Sequence, residues 1–241
     1  MGQPITNPLI HKLSNYVRLS DEERHALERL ADKPKHYQAH ADIIHEGDPT
    51  GDIYLILTGW AYRSKVLPDG QRQIMAYFIP GDICDQRIFV LKRMDHSITT
   101  VTPATVAVIP KKGMIALTDL HPRIARALWW STLVDEAITR EWVMNVGQRD
   151  AFQRLGHLIC EMFVRLRAVG LVDGLSFEFP VIQAELADTT GLSTVHANRT
   201  LQELRRTGLI SWKGRHVTIL DLDRLVDLSM FNSNYLHLEG E

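Results

Sequence analysis

The sequence predicts an α+β fold with three parts in order: a small antiparallel β-roll, a long helix and a winged helix-turn-helix. Across residues 36–109, short apolar runs alternate with glycine-rich and aspartate-rich turns. After Pro122, a helical pattern continues for more than twenty residues without a breaker. Across residues 181–219, two short helical patterns meet at a glycine and lead into a hairpin pattern. We expect domain boundaries at 1–118, 119–148 and 149–241.

The composition indicates a folded chain with no strong overall charge. The chain has 241 residues, 45% hydrophobic and 23% charged, with a formal net charge of -2. That length suffices for two cores of ordinary size, and the charge balance excludes a strongly basic coat. Cys84 and Cys160 do not make a disulfide framework, and the sequence has no signal-peptide pattern and no apolar run of membrane-spanning length. We therefore expect a cytoplasmic location and no membrane partner.

The roll is predicted from strands that recur at short intervals. Its apolar runs are IYLIL, QIMAYFI and TVAVI, and the turn clusters between the runs begin at Glu46, Thr58, Pro68 and Pro80. Such spacing is typical of an antiparallel sandwich or roll. Before the roll, SDEERHALERLAD begins with a serine or aspartate cap and has acids in its first turn, which predicts a short amphipathic helix.

The long helix after Pro122 would span on the order of 35 to 40 Å at 1.5 Å per residue. Two copies could pair along it as a coiled coil, because its residues follow a heptad pattern. That pattern comprises Ile124, Ser131, Ile138 and Asn145, with Leu128, Val134 and Trp142 interleaved. A helix packed only on its own roll is the alternative. We favour the dimerisation helix if the third part reads DNA, since one short reading helix generally needs two half-sites.

The third part begins where the long helix ends, near Asp150. The following segment, AFQRLGHLICEMFVRLRAVGL, has one apolar face, which predicts a second helix at the inner wall of this part. Near the C-terminus, DLDRLVDL predicts one more helical turn or two. The tail from there to Glu241 is expected to be loosely held.

The helix-turn-helix is predicted in VIQAELADTTGLSTVHANRTLQELRRTG. Gly191 provides the turn, and Ala187 is small enough to let two helices cross closely. The second helix would begin at a Ser193 cap and stop at Gly208. The segments LISW and HVTIL, joined by the basic turn KGR, read as a hairpin wing. One feature departs from the usual pattern, because Ile182 stands where a serine or threonine would cap the first helix.

The second helix carries side chains suited to reading DNA. Arginine, asparagine and valine are residue types that read guanine, adenine and thymine edges in a major groove. From Gly191 to Leu220 there are five Lys or Arg against one acid, a local balance of plus four that suits phosphate contact. An ordinary helical hairpin with a solvated face is the alternative. The predicted DNA-binding residues are Ser193, Thr194, Val195, His196, Asn198, Arg199, Gln202, Lys213 and Arg215.

This order of parts resembles the cyclic-AMP receptor and fumarate-nitrate regulator (CRP/FNR) family of bacterial transcription factors. Its most specific piece is QAELADTTGLSTVHANRTLQELRRTGLI, and the resemblance covers about residues 36–220. Leu57, Gly59, Gly81 and Asp82 also fall where the family's roll has its turn glycines and its Gly-Asp step. The resemblance implies a cyclic-nucleotide-binding-like roll of the jelly-roll type that senses a signal, a long dimerisation helix and a DNA-binding domain.

The same resemblance implies a homodimer that binds double-stranded DNA at a palindromic operator, with RNA polymerase as a further partner. In the family, base contacts come from positions that match Val195, Asn198 and Arg199 here. Arg199 fits the family's pattern. An acid is usual where Val195 stands, so the operator is expected to differ at the base that the acid reads.

The effector pocket that the resemblance implies is degenerate in this chain. Family members that bind cyclic AMP hold its ribose with a Glu and its phosphate with an Arg-Ser pair. The matching positions are Gln86 and the pair His96 and Ser97, and a neutral histidine offers a phosphate neither a fork nor a fixed charge. The full set of implied pocket residues is Gly81, Asp82, Asp85, Gln86, His96, Ser97, Thr139 and Arg140. We expect a regulator that cyclic AMP does not control and whose effector is unknown.

Other functions have weaker support in the sequence. Two separated cysteines cannot hold an iron-sulfur cluster, the surroundings of Cys84 do not match a haem site, and no cofactor is predicted. Cys84 is either a redox-reactive thiol or, more commonly, a small buried hydrophobe. His36, His40 and His45 suggest a polar rim rather than a metal site. No catalytic residues are found, so we expect no enzyme. A cyclic-nucleotide-responsive regulator and a nucleotide-binding module that docks on a protein partner remain the alternatives.

Overall fold

The computed structural model describes residues 7–31, 34–85 and 92–238. The described chain forms two compact units. The first contains the residues up to Lys65 and Ala76–Asp135, and the second contains Val66–Met75 and Glu136–His237. Within the described ranges, no helix is long and apolar enough to cross a membrane.

The first unit is built on a β-roll, which confirms the predicted α+β class. Antiparallel strands form one sheet in the order β1-β7-β3 and a second in the order β2-β6-β4-β5. Alternate residues of β3 and β7 are buried between the layers, including Leu55 and Val106. The strands are β1 Pro34–Tyr37, β2 Asp42–Ile44, β3 Ile53–Thr58, β4 Ala61–Val66, β5 Arg72–Phe78, β6 Ser97–Thr100 and β7 Ala104–Ile109.

Three short helices accompany the roll: α1 Pro8–Ser14, α2 Asp21–Leu30 and α3 Lys111–Leu120. The predicted cap of α2 is confirmed, because Ser20 Oγ accepts a hydrogen bond from the Glu23 N–H and the Glu23 carboxylate accepts one from the Ser20 N–H. Two further helices, α1 and α3, lack a distinctive period in the sequence. Each buries an apolar side on the roll, with Leu13 and Met114 among the buried residues.

The long helix α4 runs over Pro122–Gln148, as predicted. The predicted coiled-coil seam on it is wrong, because every residue of that heptad pattern is buried within its own chain: Ile124, Leu128, Ser131, Val134, Ile138, Trp142 and Asn145. The exposed apolar residues of α4 lie on another face, at Trp129, Leu133, Val143 and Met144. Burial in the chain's own core and burial in a dimer produce the same period, so periodicity alone does not distinguish the two.

The second unit holds the winged helix-turn-helix. Helix α5, Ala151–Ala168, is capped by Asp150 and buries its apolar side completely. After it come β8 Val172–Asp173, β9 Ser176–Glu178, α6 Gln183–Thr190, α7 Thr194–Arg206, β10 Ile210–Lys213, β11 His216–Ile219 and α8 Leu222–Ser229. The four strands form a sheet in the order β10-β11-β9-β8.

The tail after α8 differs from the expectation of a loosely held segment. A 3₁₀ helix at Ser233–Leu236 follows α8, and Phe231 and Leu236 are buried. The Tyr235 hydroxyl donates a hydrogen bond to Glu161 on α5 at 2.8 Å. Aromatic anchors and a buried acceptor therefore hold this segment, and neither can be recognised from local sequence pattern.

Candidate nucleic-acid interface

Helix α7 separates into a buried face and an outward face. Ala197, Leu201 and Leu204 are buried, as predicted from their spacing. On the outward face, Val195, Arg199 and Gln202 are exposed, while His196 and Asn198 are half-buried. Within the described part of the chain, no hydrogen bond or ion pair engages the side chains of Arg199 or Gln202. These groups are therefore available to an external partner.

The start of α7 is fixed by a cap and a left-handed turn. Ser193 Oγ accepts a hydrogen bond from the His196 N–H at 3.2 Å. Gly191 has φ 66° and connects the two helices, and its missing side chain leaves room for Val146, whose Cγ1 would lie 3.2 Å from an added Cβ. The cap leaves Ser193 and Thr194 exposed at the positive end of the helix, where backbone N–H groups favour an anion such as phosphate.

The wing is the hairpin of β10 and β11. Lys213 pairs with His216 in register, so Gly214 and Arg215 form a two-residue turn, with φ 59° at Gly214. The Trp212 indole N–H donates to the Gly214 carbonyl at 3.1 Å and braces the turn. Lys213 and Arg215 are both exposed at the tip of this hairpin.

Sequence reasoning missed one contact beside the reading face. The Gln183 side-chain amide, at the start of α6, donates to Asn198 Oδ1 at 3.4 Å. Near the same helix end, the Glu185 carboxylate accepts from the Ile182 N–H at 3.0 Å, which forms half of a capping box. The Ile182 side chain has no acceptor, so the other hydrogen bond of a capping box is absent, as the sequence indicated. Glutamine at the start of α6 carries no distinctive signal by itself.

In the roll, the Gly-Asp step ties α1 to the sheet. Gly81 has φ 95°, and a Cβ there would lie 2.8 Å from the Pro8 carbonyl oxygen. Asp82 is buried, accepts a hydrogen bond from the Ile79 N–H at 2.9 Å and pairs with Lys12 at 2.8 Å. Gly81 and Asp82, two of the residues predicted for the effector pocket, thus help to hold α1 on the roll.

The histidine at the phosphate position is also bound to its own chain. His96 is buried, with Nδ1 2.7 Å from Asp95 and Nε2 3.6 Å from buried Asp85. Burial, followed by the charge of Arg63, lowers the pKa of His96, so the ring is neutral at pH 7. Ser97 Oγ accepts a hydrogen bond from the Glu46 N–H at 3.0 Å. Neither side chain offers a phosphate a fixed positive charge.

The remaining residues predicted for the effector pocket are Gln86, Thr139 and Arg140. Gln86 lies outside the described residues. Thr139 and Arg140 are exposed on α4 in the second unit, and Arg140 pairs with Glu136 at 3.0 Å. Arg63 was not predicted; its guanidinium donates to the Cys84 carbonyl at 2.8 Å and lies 5.1 Å from the centre of the Phe78 ring.

Neither a redox role for Cys84 nor a metal site at the N-terminal histidines is supported by the geometry. Cys84 is completely buried in the core of the roll, and burial raises its pKa, which disfavours the thiolate needed for redox reactivity. His45 pairs with Asp42 and Asp48, while His36 lies 3.2 Å from the Thr105 hydroxyl. Among the described residues, no group of three or more His, Cys, Asp and Glu is arranged to hold a metal ion.

A cavity of about 180 Å³ lies in the first unit between β3, α3 and α4. Five apolar residues and two threonines line it, and none of them is a residue predicted for the effector pocket. The lining residues are Ile53, Met114, Thr118, Ala125, Leu128, Trp129 and Thr132.

Two protein-family models match the chain in the order of its structural parts. The cyclic nucleotide-binding domain matches residues 34–121, which contain the roll. The Crp-like helix-turn-helix domain matches residues 153–228, which contain α5 to α8. The strands of the roll and the helix α7, called the reading helix below, both lie inside the matched spans.

Curated relatives align over most of the chain. The transcriptional activator protein FnrL of Cereibacter sphaeroides is 26% identical over 215 residues, covering 88% of this chain and 86% of the relative. The nitrogen fixation regulation protein FixK of Bradyrhizobium diazoefficiens is 25% identical, covering 80% of this chain and 81% of the relative.

A solved structure supports the same fold. FixK2 from Bradyrhizobium japonicum superposes with a TM-score of 0.74 at 22% identity, and the match covers 81% of this chain and 96% of that one. At this identity the likeness speaks for the fold, with a roll, a long helix and a helix-turn-helix in the same order.

Proposed function

Since the chain belongs to the CRP/FNR family of DNA-binding transcription regulators, we propose that it acts as a homodimer on a palindromic operator and that cyclic AMP does not control it. The observation that carries this proposal is the outward face of α7, where Val195, Arg199 and Gln202 are exposed around a rigidly capped helix start. An exposed face of this kind on a short helix suits a major groove.

The roles of the individual side chains follow from their chemistry. Arg199 binds a guanine through its bidentate fork, and Val195 contacts a thymine methyl group. Asn198 contributes an amide beside them. The exposed Lys213 and Arg215 at the tip of the wing, together with Ser193 and Thr194 at the start of α7, contact phosphates and hold the helix in register.

The exposed apolar face of α4 supports the dimer. Trp129 and Leu133 are four residues apart, and Val143 follows Trp129 by fourteen residues, close to four helical turns. These side chains are between 49% and 70% exposed, which is unusual for large apolar groups on one helix face. Pairing of two copies along this face buries them and places two reading helices on one operator. As a regulator, the dimer also contacts RNA polymerase at its promoters.

Independence from cyclic AMP is supported by the state of the phosphate position. A cyclic nucleotide brings a negative charge that must be matched by a fixed positive group when it is buried. His96 is neutral and has Asp85 and Asp95 beside it, so its side chain offers the phosphate no positive charge.

The experiment is selection of operators from a random duplex pool by the purified protein, followed by binding of the selected duplex with and without cyclic AMP at about 1 mM. We expect a palindromic consensus with two half-sites about one helical turn apart and an affinity unchanged by the nucleotide. Enrichment of no sequence would contradict the operator. A several-fold gain in affinity with cyclic AMP would contradict the proposed independence.

A further inference from the structure

The C-terminal segment Met230–His237 packs over the joint between α4 and α5. The joint itself consists of Arg149 and Asp150, which separate the two helices. Phe231 and Leu236 are buried, and Tyr235 reaches from the segment to α5. The last turns of α4, the helix α5 and this segment all belong to the second unit, together with the helix-turn-helix.

One buried carboxylate joins all three elements. Glu161 on α5 is completely buried and accepts hydrogen bonds from the Trp142 indole on α4, at 2.9 and 3.2 Å to its two oxygens. It also accepts from the Tyr235 hydroxyl at 2.8 Å and from Arg165 at 3.2 Å. A carboxylate removed from water needs all of its donors, so its position depends on α4 and on the C-terminal segment together.

A second set of contacts lies at the joint. The Arg149 guanidinium donates to Glu141 on α4 at 2.6 Å and to the Met230 carbonyl at 3.2 Å. The ring of His157, fully buried on α5, stacks on Tyr235 and meets the edge of Phe231, with centroid distances of 5.9 and 5.1 Å. Contacts from the segment thus reach the end of α4, the joint and α5.

The joint is also connected to the helix-turn-helix formed by α6 and α7. The Arg154 guanidinium donates to the Arg149 carbonyl at 2.8 Å and to the Thr190 carbonyl at the end of α6 at 3.0 Å. Asn145 on α4 donates to the Arg154 carbonyl at 3.2 Å. Because α6 and α7 are joined by a tight turn, any rotation at the joint would carry the reading helix with it.

We propose that Met230–His237 is a strap that fixes the direction of α5 and the reading helix relative to the end of α4, and thereby sets the half-site spacing that the dimer accepts. This inference rests on the proposed function of a dimer on a palindromic operator. Two non-helical residues between rigid helices are enough to absorb a large change of dihedral angles, which is the usual form of a hinge. The strap contacts the chain on both sides of those residues and removes that freedom.

The strap is tested with Tyr235→Phe, which keeps the ring on His157 and removes one donor to Glu161. His237→Ala is the matched control, because His237 lies in the same segment and is exposed. Binding is measured on operators whose half-sites are moved apart by one and two base pairs. For the wild type and the control we expect a steep loss, roughly tenfold or more per added base pair. For Tyr235→Phe we expect roughly a tenfold loss at the best spacing and a flatter profile.

Hydrogen exchange of residues 145–153 without DNA tests the strap independently of its use on DNA. We expect faster exchange in Tyr235→Phe, with α7 unchanged. Unchanged exchange, or an equal loss of affinity at every spacing, would overturn the strap. If exchange at the joint rises in Tyr235→Phe but the wild type prefers no operator, the strap stands and the proposed function is overturned. If Tyr235→Phe does not fold, Arg149→Lys is measured in the same two ways, because it keeps a positive charge beside Glu141 and removes the guanidinium contact with the Met230 carbonyl.

Discussion

The predicted site residues on the outward face of α7 are exposed, whereas those at the predicted effector position of the roll are buried and bound within the chain. On α7, Val195 is 81% exposed, and no hydrogen bond within the described residues holds the Arg199 side chain. In the roll, Asp82 and His96 are only 4% and 6% exposed and are bound to Lys12 and Asp95. A side chain bound within its own chain must give up those contacts to bind a ligand, whereas an exposed one gives up only water. Matching positions alone therefore do not make a binding site.

The largest effect is expected from a variant that disrupts the dimer and leaves the outward face of α7 unchanged. Leu133→Glu places a charge on the exposed apolar face of α4, so that two copies would bring like charges together. We expect a monomer in sedimentation and a loss of affinity for the palindrome of about a hundredfold or more, because the second half-site no longer binds intramolecularly.

The matched control is Leu228→Glu, an exposed leucine of similar accessibility on a different helix, α8. It should remain dimeric and bind the palindrome normally. A dimeric Leu133→Glu together with a monomeric Leu228→Glu would move the interface from α4 to α8.

The next largest effect sharpens the account of the reading face itself. Arg199→Ala removes a fork that pairs with one base, so the selected operator should be bound more weakly by roughly 1 to 3 kcal/mol while unrelated duplexes are bound almost as before. Fluorescence anisotropy on both duplexes measures the difference. Arg205→Ala, on the same helix and also exposed, is the control. An equal loss on every duplex would make Arg199 a phosphate contact.

Sequence reasoning was most successful where a local rule decides the structure. The Ser20 and Ser193 caps, the buried side of α7 and the hairpin wing all depend on residues near one another in the chain, and the structure confirms each of them. It failed where a distant partner decides. The heptad residues of α4 face their own core, and Tyr235 is held by Glu161, 74 residues away. For the effector position, the sequence identified the lost arginine, but only the structure revealed that Asp82 is already paired with Lys12.

A third prediction compares two buried histidines, one in each unit. Each ring has a carboxylate nearby, Asp95 beside His96 and Glu141 at 3.3 Å from His157. Burial lowers the pKa of both rings, and burial followed by the charge of Arg149 lowers that of His157 to about 3. The unfolded chain binds a proton at His157 near pH 6.5, and the folded chain does not. Stability from this group is therefore complete above pH 6.5 and is lost as the pH falls toward 3. We expect the free energy of unfolding to drop by about 2 kcal/mol between pH 7 and pH 5 through His157.

Chemical denaturation of His157→Phe across this range measures that contribution. The phenyl ring keeps the packing on Phe231 and Tyr235 but cannot take up a proton, so the variant should lose less stability than the wild type on acidification. His237→Ala, an exposed histidine, should follow the wild type. Parallel curves for wild type and His157→Phe would show that His157 is not the group responsible.

The smallest expected effect concerns the wing, where charge rather than shape makes the contact. Lys213→Ala removes one phosphate contact, so binding should weaken by less than about 1 kcal/mol on selected and unrelated duplexes alike, and the slope of log affinity against log salt should fall by about 1. Lys112→Ala removes the same charge from α3, an exposed position in the other unit, and should leave the slope unchanged. Equal slopes for the two variants would mean that net charge, and not the position of Lys213, sets the salt dependence. Because the whole chain has a net charge of -2, only a local contact can account for a slope that changes in one variant and not in the other.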